Sequence, residues 1–439
     1  MTAGTAPLQA LIDQARERLP GRDFGWLQSR RAEAARAVAE LGLPDRKSEE
    51  WRYTSAERLV SHPLHPAAPA RLDPAMLDAL AVPGLDAWRA VFVNGRLAPA
   101  ASDLEGLPEG VVVESLRAAL EGEDLDLTAW LGRATGDGGH VFNALNTALI
   151  DDGLVIHVGP GIELERPLEM LFLTDGDEEG STASPRNLVV LEAGAQLTLV
   201  ERHASLGGGM YFNNGVTEVL LGEGARLAHD RLLEEHGAAF HLHGLFLDQA
   251  AGSHYAAVNA ALGGCWSRTD IHVRFRGEGA GCELDGVYLA GDGQLVDMHL
   301  DVDHAVPGCA SRHNFRGILH GRGRAVFDGR ILVRRDAQQT DAHLANANLL
   351  LARECEIDTK PQLEIFADDV RCSHGTTVGQ IEAEQIFYLR SRGIDADEAR
   401  RMLCVGFAVE VLDRFRVPGL RERAEERLRA ALGQDNSED

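Results

Sequence analysis

Lysine is almost missing from this sequence. Of 43 basic side chains only Lys47 and Lys360 are lysines, the rest being arginine. Aromatic residues are scarce too, at 5% of 439 residues. No apolar run approaches the roughly 18 residues that span a bilayer. The first twenty residues hold Arg16 and Arg18 with no apolar stretch behind them, so no secretory leader is expected. A basic field is absent as well. The net charge of −25 argues against a general binder of nucleic acid or anionic membrane, because both require positive potential. A soluble, cytoplasmic protein is the expectation. Codon usage is the bland cause of the arginine bias, and under it the two surviving lysines are expected where a compact ammonium is wanted.

Nucleotide-binding signatures are also lacking. A P-loop requires Gly-Lys-Ser/Thr after a glycine turn, but Lys47 follows Arg46 and Lys360 precedes Pro361. ATP hydrolysis by that device is excluded. The Gly-x-Gly turns do not have dinucleotide-fingerprint spacing, and no Gly-x-Ser-x-Gly elbow occurs. The cysteines, Cys265, Cys282, Cys309, Cys355, Cys372 and Cys404, fall in the C-terminal half without a CxxC pair. That excludes a zinc-ribbon type of site and gives no sign of a disulfide framework. Most are expected to be small buried apolar residues.

What is present divides the chain into three. Residues 1–89 read as a helical region with a connector: Leu8, Leu11, Ile12 and Ala15 recur at helical spacing, and Ser61 to Ala70 holds three prolines. Residues 90–379 read as short strands with glycine corners. In Asp297 to Asp303, Met298, Leu300 and Val302 alternate with polar neighbours, the mark of a half-buried strand. Turns centred on Gly161, Gly194, Gly224, Gly279 and on Gly321-Arg322-Gly323 recur at uneven spacing. This favours a winding β-helix with coils of unequal loop length over its alternative, a pair of β-sandwiches. Gln338 to Leu351 mixes amides with apolar residues, which suits either a side-chain ladder along a solenoid axis or an ordinary polar turn. Residues 380–439 return to helix, with Gly393 as a stop and Asp395 and Glu398 as a capping box. Ala399, Met402, Leu403, Phe407, Val411 and Phe415 form a stripe, Pro418-Gly419 breaks it, and the tail from Gly433 is expected to fray.

The best candidate for chemistry is Asp368 to Gly375. On a strand, Cys372 and His374 project to one face, where thiolate and imidazole could hold a borderline metal such as iron. Arg371 beside them is expected to lower the thiol pKa. Two ligands make half a site, to be completed from elsewhere in the fold or by a partner chain; the alternative is a structural cysteine beside a surface histidine. His241 with His243, and His299 with Asp301 and Asp303, offer weaker metal-capable faces of the kind strand alternation produces by accident.

Three segments carry a family resemblance: Lys47 to Thr54 (KSEEWRYT), Thr340 to Pro361, and Cys372 to Ile394, which includes CSHGTTVG and EQIFYLRSRGI. They resemble the SufB/SufD family of iron–sulfur cluster assembly scaffolds. Cys372-Ser373-His374 in place of a Glu-His type sequence, and a shorter N-terminal region, are similar to the SufD branch. The resemblance implies a mainly β fold, a right-handed parallel β-helix flanked by N- and C-terminal α-helical domains. It implies a non-catalytic subunit paired with SufB through the β-helices, with the SufC ATPase docked on the C-terminal helices. Iron or a nascent cluster, shared with SufB at Cys372 and His374, is the implied cofactor. Homodimers of the isolated chain are implied as possible, and flavin binding by the complex is left open. The competing classes are a pectate-lyase-like enzyme acting on polysaccharide and a stand-alone metal-binding protein.

Overall fold

The computed structural model describes residues 3–70, 72–122, 125–136 and 139–433, so residues 434–439 of the tail expected to fray lie outside the described residues. Period-two alternation governs the middle of the chain. On the strand Leu295–His304, Val296, Met298, Leu300 and Val302 are buried in the main apolar core, and the intervening side chains point the other way. The strands do not return as hairpins. They alternate between two sheets, each coil adding one parallel strand to each. In one sheet Phe240 lies beside Trp266, Trp266 beside Leu295, Leu295 beside Arg324, and Arg324 beside Glu356. The other sheet places His254 beside Gly281 and Gly281 beside Ala310. The molecule is a parallel β-solenoid of about 8 turns, with antiparallel pairs only near its N-terminal end. Parallel pairing rules out the sandwich alternative.

The corners explain the uneven glycine spacing. Gly161, Gly194, Gly224, Gly252, Gly279 and Gly308 all hold φ between +62° and +70°, a region open to glycine at little cost. They stack, the amide of Gly194 donating to Glu223, that of Gly224 to Ala251 and that of Gly252 to Glu278. Gly252 lies in Ala-Ala-Gly, so the long step from Gly224 to Gly279 spans two coils. Gly321, which follows the strand Ala310–Leu319, sits at the opposite corner. The next corner of the main stack uses Gln339 at φ +61°.

Helices cover the two outer faces. Ala6–Ala15 and Gly25–Leu41 bury Leu8, Leu11, Ile12 and Val38 against Phe212, Phe240, Leu242 and Trp266. At the other end Asp395 caps Ala396–Leu412, accepting from the amides of Asp397 at 2.8 Å and Glu398 at 3.0 Å. Glu398 does not reciprocate; it binds Arg401 at 2.9 Å. The stripe that packs on the sheet is Cys404, Val405, Ala408, Val411, Leu412 and Phe415; Ala399 is buried outside that cluster, and Met402 faces solvent. The helix ends at Leu412, and Pro418 opens the last helix, Pro418–Gly433, rather than merely interrupting one. Pro is suited to a first turn because no amide is needed there. Two helices that the strand pattern did not suggest, Leu116–Glu121 and Val141–Ala148, lie between residues 90 and 150. They are short, and Asn143 and Asn146 interrupt the apolar face of the second. Asn146 is fully buried, donating to Pro185 O at 3.0 Å and Asn214 O at 2.7 Å. Among the described residues no helix is long and apolar enough to cross a membrane.

Candidate functional site

The last coil differs from the others. Its strands, Glu356–Ile365 and Val370–Gly379, end the two sheets, so each leaves one edge of backbone groups unpaired by another strand. The first carries Lys360 and Pro361, residues that blunt an open edge. The second carries neither, and is almost wholly exposed.

Cys372 and His374 lie on that second strand. Cys372 follows Ala342 of the previous coil and His374 follows Leu344, both core residues, so both side chains lean to the interior side. Cys372 is half-buried against the core. Burial pushes its thiol pKa up and Asp341 adds to the rise, outweighing a hydrogen bond involving the Ala342 backbone. The expected lowering by Arg371 does not occur, because adjacent strand residues project to opposite faces. His374 is exposed and lines a groove with Asp328, Arg330, Lys360, Gln362 and Glu364. Among the described residues no third His, Cys, Asp or Glu joins this pair in a group with metal-ligating spacing.

The far wall of the groove is the segment Ser48 to Trp51. Trp51 is buried, with the Arg268 guanidinium 3.9 Å above its ring. Arg268 donates to Glu50 O at 3.1 Å, Asp297 Oδ2 at 2.9 Å and Asp270 Oδ1 at 2.7 Å. Thr54 Oγ1 donates to Asp297 Oδ2 at 2.6 Å. Burial alone would raise the Asp270 carboxyl, but Arg268 and His140 hold it well below the usual range. Lys360 Nζ reaches Glu49 Oε1 at 2.7 Å and Asp328 Oδ2 at 3.3 Å. Two motifs far apart in sequence thus form one ionic wall. Of the weaker candidates, His299 lies in this groove against Asp297 at 2.8 Å. Asp301 is bound by Arg330 at 2.9 Å and Asp303 by Arg334 at 2.7 Å, so neither carboxylate is left for a cation. His241 and His243 point into the solenoid interior, fully buried.

Family comparison adds the decisive observation. Residues 172–407 match the SUF system FeS cluster assembly SufBD core domain, and residues 4–170 match the SufBD protein N-terminal region. The chain belongs to the SufBD family. A SufBD family iron–sulfur cluster assembly protein of Synechocystis is 34% identical over 95% of this chain and 93% of its own length. Iron–sulfur cluster assembly protein SufD of Escherichia coli is 35% identical over 89% of this chain and 90% of its own. The chloroplastic protein ABCI7 of Arabidopsis thaliana is 31% identical over 92% and 86%. These matches support the SufD assignment within the family.

Two features of this SufBD chain escape sequence reasoning. The amides of Gln338 to Leu351 bond between coils, but not as a stack of like amides: Gln338 Oε1 accepts from the Asp369 amide of the next coil at 2.9 Å, and Asn346 donates to the Tyr288 hydroxyl two coils back at 3.0 Å. Asn348 donates to Asn346 Oδ1 at 2.7 Å on the same strand, and the Tyr288 hydroxyl donates to Asn348 Oδ1 at 2.6 Å. Both amides are buried, so they need such partners inside the coil. The second feature is His203, which lies in the interior beside His241 and His243. It sits on another strand of the opposite sheet, and only the coil geometry brings it there.

Proposed function

We propose that this SufBD chain is a scaffold subunit that pairs with a SufB chain through the strand Val370–Gly379 and contributes Cys372 and His374 to a shared site for iron or a nascent cluster. The observation that carries this reading is the unguarded edge. A strand with free backbone groups, no lysine and no proline is suited to accept another strand, and both candidate ligands lie on it. A half-buried thiol with a raised pKa resists oxidation while unpaired and would be deprotonated on meeting a cation. The iron or cluster is cargo rather than a resident group, and the complex is read as cytoplasmic.

ATP hydrolysis belongs, in this reading, to a SufC subunit. The apolar stripe of Ala396–Leu412 is engaged against the sheet and is not available to a partner. The exposed side chains of the C-terminal helices are the better support for docking: Phe387 is 74% exposed and Tyr388 55%. Deleting the helical segment would bare Val258, Val287 and Ile318 of the sheet, so single exposed residues are the cleaner probes. The central test is His374→Ala in the complex assembled with SufB and SufC. Iron incorporation should drop while the complex stays intact. Unchanged incorporation in an intact complex overturns the shared site.

A further inference from the structure

The interior of the solenoid is largely apolar, and one of its polar compartments is rich in histidine. On the strand Gln196–Ser205 the inward positions run Leu197, Leu199, Glu201, His203. On the next coil of the same sheet, Arg226–Glu234, they run Leu227, His229, Arg231. The facing strand Ala239–Gln249 supplies His241 and His243 before Leu245 and Leu247. The polar halves of these strands stack together. Glu201, His203, His229, Arg231, Glu235, His241 and His243 are each no more than 2% exposed.

Within this compartment one ring nitrogen from each of His203, His241 and His243 lies within 4.8 Å of the others. One nitrogen of each ring also lies near an oxygen. His203 Nε2 is 2.9 Å from Glu201 Oε1, His241 Nδ1 is 2.8 Å from Glu235 Oε2, and His243 Nε2 is 3.0 Å from Thr217 Oγ1. His203 Nδ1, both ring nitrogens of His241 and His243 Nδ1 have no hydrogen-bond partner. Buried polar atoms ordinarily find partners, and here the unpartnered nitrogens fall on three adjacent imidazoles whose ring nitrogens converge. We propose that His203, His241 and His243 form an interior site for one first-row divalent metal ion of borderline hardness, such as zinc or iron(II).

Three kinds of observation agree on this. His203 is hydrogen-bonded to Glu201 and His243 to Thr217 through one ring nitrogen, as the second shell of a histidine metal centre usually provides, and Glu235 lies beside His241. A tetrahedral ion with bonds near 2.0–2.1 Å needs its nitrogens about 3.4 Å apart, which small side-chain rotations would reach from the present spacing. Charge also favours a cation. Of the residues named, Glu201 and Glu235 bring two carboxylates and Arg231 one guanidinium, which is bound to Glu201 at 2.9 Å and Asn259 at 3.0 Å. A divalent ion would offset the second of these carboxylates. The compartment reaches the surface through Glu235, the Tyr211 hydroxyl at 3.1 Å, Ser205 and the His236 amide, which donates to Ser205 Oγ at 2.7 Å.

The test uses the full chain, freed of metal by a chelator and titrated with cobalt(II). About one cobalt per chain should bind, with visible bands of low-symmetry nitrogen coordination and no thiolate-to-cobalt band in the near ultraviolet. The double variant H241Q/H243Q should lose that binding while its circular dichroism is unchanged, and C372S and H374A should keep it. Absence of cobalt uptake by the wild-type chain overturns the proposal. So does uptake retained in H241Q/H243Q, or lost in C372S. If the double variant does not fold, X-ray absorption on the zinc-loaded wild-type chain decides: a nitrogen and oxygen shell with several imidazoles supports the site, and any sulfur ligand refutes it.

Discussion

Lys360 Nζ stands 2.7 Å from Glu49 Oε1, an ion pair between residues 311 positions apart. It clips the N-terminal segment across the groove to the last coil. Burial opposes the charge on Lys360, but Glu49 and Asp328 outweigh it and raise its pKa, so the clip holds throughout the neutral range. Glu49 is largely exposed, and exposed pairs contribute little to stability. Lys360→Met should therefore barely move the denaturation midpoint. It should instead speed hydrogen exchange at the amides of Glu50 to Tyr53. Unchanged exchange there would show that the segment is held from within.

The same segment does have an internal anchor, which gives a contrasting expectation. Asp297 is fully buried, accepting from Arg268 and Thr54. Removing one partner of a buried ion pair leaves an uncompensated charge and typically costs about 3–5 kcal/mol. Asp297→Ala should destabilise the chain by that order in urea unfolding. A loss below about 1 kcal/mol would mean that Asp270 alone balances Arg268.

Acid and alkali act on different groups. Burial raises the Asp230 carboxyl to about 7, although it accepts from the amides of Arg416 at 2.8 Å and Val417 at 2.9 Å. A carboxyl whose folded pKa is raised takes up its proton more readily in the folded state. Its stabilising effect is full below the unfolded value near 4 and is lost as pH rises through about 7. Between pH 6 and 8 the wild type should lose on the order of 1 kcal/mol from this group, and Asp230→Asn should flatten that slope. Asp285, raised by burial to about 6, adds in the same direction. His313, lowered by burial to about 3, acts oppositely: the unfolded chain protonates first, so stability falls as pH drops below about 6.5. Parallel slopes for wild type and Asp230→Asn between pH 6 and 8 would clear Asp230 of the role.

Corner glycines separate two costs. At Gly252 a Cβ would meet nothing within 4 Å, so Gly252→Ala should cost about 1–2 kcal/mol from its φ of +62° alone. At Gly277 a Cβ would stand 2.1 Å from the Ala251 amide nitrogen, backbone of the neighbouring coil. Gly277→Ala should therefore be the more damaging in thermal unfolding. The reverse order would mean that the corners are looser than their stacking implies.

These corners also show how far the sequence can be read. Met298, Leu300 and Val302 declare a strand because alternation is local, and Asp395 declares a helix start because a cap binds its own backbone. Gly252 sits in an Ala-Gly turn like that at Gly194, and only the stacking of the coils sets it apart as a corner. Asp297 reads as a solvent-facing residue of its strand, yet Thr54 and Arg268 bury it, and Thr54 lies 243 positions away. Cys372 and His374 were legible as a pair through strand spacing. His203 was not, since its nearness to His241 arises from the winding of the coils. What is local in the fold was readable; what depends on which coil stacks on which was not.

The open edge at Val370–Gly379 gives the last expectation. Its backbone groups have no strand beyond them, and Val378 exposes half of its side chain (50%) with no charge on the strand after Arg371. Isolated from its partners, the chain should use this edge to associate with a second copy, because an unguarded strand is a template for another. Lysines are the usual guard, as Lys360 is on the companion strand. Thr377→Lys with Val378→Lys should therefore shift the chain from a concentration-dependent dimer to a monomer in sedimentation velocity, with an unchanged melting curve. The same pair of substitutions should block recruitment of SufB. A chain that stays monomeric before substitution, yet still loses SufB after it, would confine the edge to hetero-association; loss of neither would remove this strand from the interface.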